Sequence, residues 1–300
     1  MKEEMKKLNN LPRITDRISF LYVEYARIET EEYSIVILQG SNKIVIPIAT
    51  VLCLILGTGI SITHNVIKIL CENQCNCMFV GSECNYFYAS GNSSDRNAQN
   101  IIQQAECYYD KDKHLQIVKQ MYKKRYPNIN ITTTNLATLR GIEGKQMKEL
   151  YTSLATKYNI DWNGRISQNW ENADTINKNL TSINQLLYCI CHAVINNLGY
   201  STVFGFIHTG KYNSFVYDIA DLYKEEFVLP LVFEKTSLNC SITEIRTAFR
   251  TLVVEKQLLK RMVNDLKTIF GDTSNYDGSG YLWDTTENVK AGYNFFNESI

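Results

Sequence analysis

Apolar and polar positions change their period once along this chain. Up to about residue 90 the apolar residues fall in short runs rich in β-branched and aromatic side chains, which predict strands. Residues 17–25, 33–38, 43–48 and 51–56 read this way, with a hairpin turn at Gly40, Ser41 and Asn42. Gly57 and Gly59 end the fourth run, and Thr63 is placed to cap a helix from His64 to Cys71. Residues 77–80 and 85–89 predict one more hairpin. The small polar stretch from Ala89 to Asp95 reads as a linker. Beyond it the apolar period becomes helical, with helices expected over 96–109, 112–126, 134–158, 173–198, 214–226 and 242–270. After Gly271 the chain is rich in Gly, Asn and Asp and reads as irregular or ordered only by a partner. The expected fold class is α+β: a β-rich N-terminal domain with one helix (1–90), an all-α C-terminal catalytic domain (91–270) and a tail (271–300).

Composition narrows this picture. Apolar residues make up 45% of the chain, enough for a substantial core, while a mean hydropathy of -0.21 and the lack of an 18-residue apolar run argue against a membrane span. The first residues, Met1 to Lys7, carry acids and no apolar segment, so a cytoplasmic location is expected. Lys plus Arg equals Asp plus Glu at 31 each, so any contact with DNA requires basic residues segregated onto one face. Nine cysteines, an odd number, are expected to be thiols. Cys71, Cys75, Cys77 and Cys84 cluster without the paired spacing of common zinc sites, which leaves a zinc-binding interaction module as a minor alternative.

The stretch from Gly205 to Asp221 concentrates candidate chemistry. His208 follows an apolar run and precedes a turn signalled by Gly210 and Asn213, after which Ser214 is placed to cap a helix. Asp218 and Asp221 then fall at i and i+3, on one face of that helix. An imidazole opposite two carboxylates suits Mg2+ or Mn2+ better than zinc. The ordinary alternative is a packed histidine and a solvated acidic face. Glu143 lies between Gly141 and Gly144 inside a predicted helix, where paired glycines permit close approach of a backbone or ligand.

Several segments in order carry a resemblance: Leu56 to His64, Arg140 to Gly144, Trp162 to Arg165, Trp170 with Glu171, Asp174 to Asn177, Gly205 to Lys211, and Ser214 to Asp221. Together they resemble the CRISPR-associated spacer integrases, the nuclease-integrase subunit of adaptation modules, with a type I-E-like pattern running from about Leu11 to Lys267. The resemblance implies a homodimer acting with a small companion adaptation subunit. It implies metal ligation by Glu143, His208 and Asp221, with Asp218 in or beside the site. The implied reaction is attack of a DNA 3′-hydroxyl on a phosphodiester of the CRISPR repeat, with a divalent ion stabilising the developing charge. Cleavage of branched DNA without joining, and a catalytically silent DNA-binding scaffold, are the alternatives.

Tyr25 matches a position where relatives place a ring against the end of a duplex. Arg140, Arg165, Trp170, Tyr188 and Lys211 are further expected DNA contacts. If 242–270 is one helix, Arg246, Arg250, Lys256, Lys260, Arg261 and Lys267 share a stripe about 140° wide, opposite Glu244 and Glu255. That stripe is the expected phosphate track, with Arg246 and Arg250 at its head.

Overall fold

A computed structural model describes residues 14–32, 34–93, 98–131, 135–166 and 170–271, and the backbone of two strands beyond them. The strands are β1 (Leu21–Val23), β2 (Arg27–Glu31), β3 (Ser34–Gln39), β4 (Asn42–Pro47), β5 (Cys53–Leu56), β6 (Ser61–Ile62), β7 (Asn76–Val80), β8 (Phe87–Gly91), β9 (Tyr281–Asp284) and β10 (Glu287–Lys290). The helices are α1 (His64–Glu72), α2 (Gln99–Tyr109), α3 (Lys111–Arg125), α4 (Leu136–Tyr158), α5 (Thr175–Asn197), α6 (Ser214–Tyr223), α7 (Leu229–Ser237), α8 (Ile242–Glu255) and α9 (Leu258–Phe270). The protein is α+β, strands first and helices after, with one early helix.

Two four-stranded sheets, ordered β1-β5-β7-β8 and β4-β3-β2-β6, form the N-terminal part. In the first, β1, β5 and β7 run parallel and β8 returns antiparallel at the edge. All four residues of β5 are buried, because both of its faces are covered. Leu54 and Leu56 pack with Ile28, Ile35, Val66 and Leu70 in a core between the sheets and α1. Cys53 and Ile55 face the other way, into a core that also holds Leu187, Ile190, Phe249 and Leu258 from the helices. Phe20 meets Phe249 across this boundary with ring centroids 6.1 Å apart. Each such buried side chain contributes about 1.5–3 kcal/mol. One apolar core therefore joins the strands to the helices.

α5 is the centre of the helical part, buried on almost every side. Its Asp174 cap accepts the amide of Asn177, which fixes where the helix begins. The expected helix 242–270 is two helices. Gln257 takes a left-handed conformation (φ 50°) and the chain turns there, so residues on either side do not share a face. Pro230 does not stop the chain either. A π-helical segment, Lys224–Val228, carries α6 into α7, where proline occupies the first turn and its missing N–H costs nothing. Strands β2 and β6 escaped the sequence pattern because both are short and polar at every second position or more. The first strand is shorter than expected, and Tyr25 follows it in a left-handed corner (φ 51°). The tail expected to be irregular contains the antiparallel hairpin β9–β10. Part of the expected linker, 94–95, lies outside the described residues.

Candidate active site

His208 lies in a loop that folds back onto the start of α6. A Cβ on Gly205 would come within 2.3 Å of the His208 carbonyl oxygen and 2.7 Å of Ser214, so only glycine fits. Ser214 closes the turn by accepting the Lys211 amide at 3.0 Å and donating to the Lys211 carbonyl at 2.8 Å. It is the first residue of α6 rather than its cap, which is Asn213. His114 on α3 bridges the Tyr108 and Phe206 carbonyls through its two ring nitrogens and braces the loop from behind.

Asp218 is fully buried, and both of its oxygens are in use. Oδ2 accepts the amides of Phe206 and Ile207, while Oδ1 accepts the His208 amide and Nδ1, each at 2.8 Å. It therefore holds the loop and orients the imidazole from beside the site. With Nδ1 donating to Asp218, Nε2 is turned toward Asp221 Oδ2 at 3.8 Å. The Asp218 hydrogen bond raises the His208 pKa; burial opposes this, and the charge of Asp221 adds to it.

Glu143 approaches from α4. It accepts the Tyr122 hydroxyl at 2.8 Å and Arg125 Nη1 at 2.5 Å. The same guanidinium lies 4.0 Å from Asp221 Oδ2 and gives its Nε to Glu225 at 2.6 Å. Lys224 bonds Asp221 Oδ1 at 2.6 Å and covers the ring of Tyr188 at 4.7 Å. Burial alone would raise the Asp221 pKa, but Lys224 and Arg125 outweigh it and the net shift is downward. Glu143 of α4 and the neighbouring pair His208 and Asp221 are thus brought to one locus, with Arg125 between the two acids. Gly141 and Gly144 have no neighbour within 4 Å of a built Cβ, so this face of α4 is open.

Two carboxylates and an imidazole form a donor set suited to a hard divalent cation. Among the described residues no three His, Cys, Asp or Glu side chains are drawn tightly enough together to ligate an ion as they stand. At this locus Arg125 and Lys224 supply the compensating charge. The donor chemistry fits Mg2+ or Mn2+, and ligation requires Glu143 to exchange Arg125 for the ion. In the cysteine cluster, burial pushes the thiols of Cys75 and Cys77 up to about 12.

The expected DNA contacts divide. Tyr25 is 65% exposed and its ring lies over Gly59, where a Cβ would come within 2.5 Å of it. Arg140 is exposed and donates to the Ile207 carbonyl at 3.0 Å, beside His208. Lys211 is exposed on the turn after His208, and Trp170 is half-buried in a short 3-10 turn before α5. Three assignments are corrected. Arg165 spends its guanidinium on Ile166, Asn177 and Thr181, locking the loop onto α5. Tyr188 is half-buried, with Tyr217 edge-on at 5.1 Å and Lys224 over its face. Arg246 is buried against the Tyr22 ring, 4.5 Å from its centroid, and 3.7 Å from Glu24, where it ties α8 to the sheet. Lys256 and Arg261 both pair with Glu226, so the basic stripe does not exist as one surface; Arg250 remains exposed. Trp162 stacks on Tyr151 at 4.7 Å and packs against the core. The sequence reading missed Arg125, Lys224, Glu225 and Tyr122. Lys224 and Glu225 carried a signal, standing three and four residues after Asp221 on the same helical face.

The family model for CRISPR associated protein Cas1 matches residues 20–136 and 130–239. The chain belongs to the Cas1 family. The CRISPR-associated endonuclease Cas1 2 of Thermus thermophilus is 35% identical over 301 residues, covering 96% of this chain and 93% of the relative. The CRISPR-associated endonuclease Cas1 of Escherichia coli K12 is 31% identical, over 85% of both chains. The crystal structure of a TtCas1–DNA complex matches with a TM-score of 0.81 at 34% identity, covering 92% of this chain and all of that one. The motif resemblance and the family model thus agree, and the relatives are named CRISPR-associated endonucleases.

Proposed function

We propose that this Cas1-family chain is a metal-dependent DNA endonuclease and integrase that joins DNA fragments into a CRISPR array. The observation that carries the reading is the convergence of Glu143, His208 and Asp221, with the His208 tautomer set by buried Asp218. Similarity over nearly the whole chain to proteins named CRISPR-associated endonucleases, and to a Cas1 seen with DNA, supports it. Glu143, His208 and Asp221 would hold a Mg2+ or Mn2+ ion. When bound, the ion supplies Lewis-acid stabilisation of charge on a phosphodiester.

The chain's own residues do the rest. Asp218 keeps Nδ1 protonated, so Nε2 presents its lone pair to the site. Arg125 and Lys224 lower the repulsion between carboxylates while the site is assembled. Arg140 and Lys211, exposed beside His208, are placed to meet phosphates. Tyr25, raised on its corner, presents a ring to a duplex end. A homodimer and a small companion subunit belong to the same reading. Among the described residues no helix is long and apolar enough to cross a membrane.

The test is joining of a labelled fragment into a supercoiled plasmid carrying the repeat, with Mg2+, Mn2+ or chelator, with and without the companion subunit. Divalent-dependent joining lost in His208→Ala is the expected result. Joining unaffected by chelator, or retained in that variant, refutes the reading.

A further inference from the structure

The loss of the expected basic stripe leaves a question that rests on the proposed function: how a chain of zero net charge holds the DNA strand it acts on. The edge strand β8 offers an answer. Tyr86, just before it, and Tyr88 within it are 64% and 63% exposed, and their rings pack together with centroids 5.6 Å apart. Large exposed rings in contact with each other, rather than turned into the core, are unusual without a ligand. The surface they offer is made of flat π faces; no exposed Leu, Ile, Val or Met accompanies them on β8. That chemistry fits nucleobases better than the side chains of a peptide. The Tyr88 hydroxyl lies against Gly81, where a Cβ would meet it at 2.8 Å.

The strand that carries the pair packs on α5, the helix that carries Tyr188. Phe87 packs on His192 of α5 with centroids 5.6 Å apart, and Tyr188 stands one turn before His192 on that helix. Tyr188 contacts Tyr217 at 5.1 Å, and Tyr217 faces His208 at 6.0 Å. Phe87 points to the opposite face of β8 from the pair, so it anchors the strand on α5 while Tyr86 and Tyr88 face solvent.

We propose that Tyr86 and Tyr88 form a stacking platform for unpaired bases of the DNA strand whose end reaches His208. Stacking carries no counterion release, so this part of the affinity is insensitive to salt and indifferent to sequence. The experiment measures binding of three DNAs: a blunt duplex, the same duplex with a single-stranded 3′ extension, and the duplex with an abasic extension of equal length. The parent should prefer the extended duplex to its abasic counterpart by roughly tenfold or more. The double variant Tyr86→Ser with Tyr88→Ser should lose that preference while its affinity for blunt duplex and its salt slope stay at the parent's values. The double phenylalanine variant should keep it, because the π faces remain. Equal preference in parent and serine variant overturns the platform, and so does uniform weakening on all three DNAs. A parent that binds none of the three overturns the DNA reading itself, and the platform with it.

Discussion

Among the described residues Arg125 is the cation shared by three acids of the site, and its removal exposes the logic of the arrangement. Its side chain is only 6% exposed, and it contacts Glu143 at 2.5 Å and Glu225 at 2.6 Å, with Asp221 at 4.0 Å. Burial disfavours the charged guanidinium, yet Asp221 and Glu143 hold it charged more firmly than an ordinary arginine. Arg125→Met keeps most of the packing volume and deletes the charge. Taking one partner from a buried ion pair costs about 3–5 kcal/mol, because the other charge is left unpaired. The acids here retain some exposure, 20% for Glu143 and 27% for Glu225, so hydration recovers part of the loss. We expect about 2–4 kcal/mol in the absence of divalent ions. A second cation should repair what the first one leaves. Adding Mn2+ at about a hundred times its Kd contributes about 2.7 kcal/mol to a protein with one site. The variant should gain this at lower ion concentration than the parent, since Glu143 no longer has to exchange its guanidinium. Urea unfolding with and without Mn2+, at one pH and ionic strength, reads both effects. A metal-free variant within about 0.5 kcal/mol of the parent refutes the argument, as does an ion titration identical in the two proteins.

Three further outcomes are expected. Glu143→Ala, His208→Ala and Asp221→Ala should each abolish strand transfer in the plasmid assay, whereas Asp218→Asn should misorient His208 and lower the rate in part; full activity in an alanine variant removes that residue from the site. Arg246→Ala should lower stability by about 1–3 kcal/mol and leave the salt slope of DNA binding unchanged, because the side chain is buried on Tyr22; a flattened slope would restore it as a phosphate contact. The Glu226 carboxyl is held down at about 2, chiefly by its hydrogen bond to Arg261 and, against some burial, by Lys256. A depressed carboxyl stabilises the fold above its unfolded pKa of about 4.3 and loses that contribution as pH falls toward 2. The pair is 39% exposed, so solvent screening leaves about 1 kcal/mol or less. Glu226→Gln should therefore be slightly less stable than the parent at pH 7 and equal to it near pH 2; an undiminished difference at pH 2 would discard the pairing.

The order of strands and helices was written in the sequence because local periodicity is set by which faces are covered. The stretch around His208 was legible for a different reason, its short motif fixing its own local geometry, whereas Glu143 entered as a ligand only through the resemblance to the family. Gly205 must be glycine for the His208 loop to close, and the i,i+3 spacing puts Asp218 and Asp221 on one side of α6 whatever surrounds them. What periodicity could not supply was the environment of each charge. Asp218 and Asp221 look alike in sequence, yet one is sealed among backbone amides and the other faces two cations. Arg246 and Arg250 share a helical face by count, but Tyr22 and Glu24, more than 200 residues earlier, bury the first and leave the second in water. Arg125 gave no local signal, because its partners lie 18, 96 and 100 residues away. A helical wheel assumes a continuous helix, and one left-handed residue, Gln257, broke that assumption. Local pattern decides which residues lie near one another along the chain; desolvation and charge pairing are set by residues far apart in it, and only the packed core brings those together.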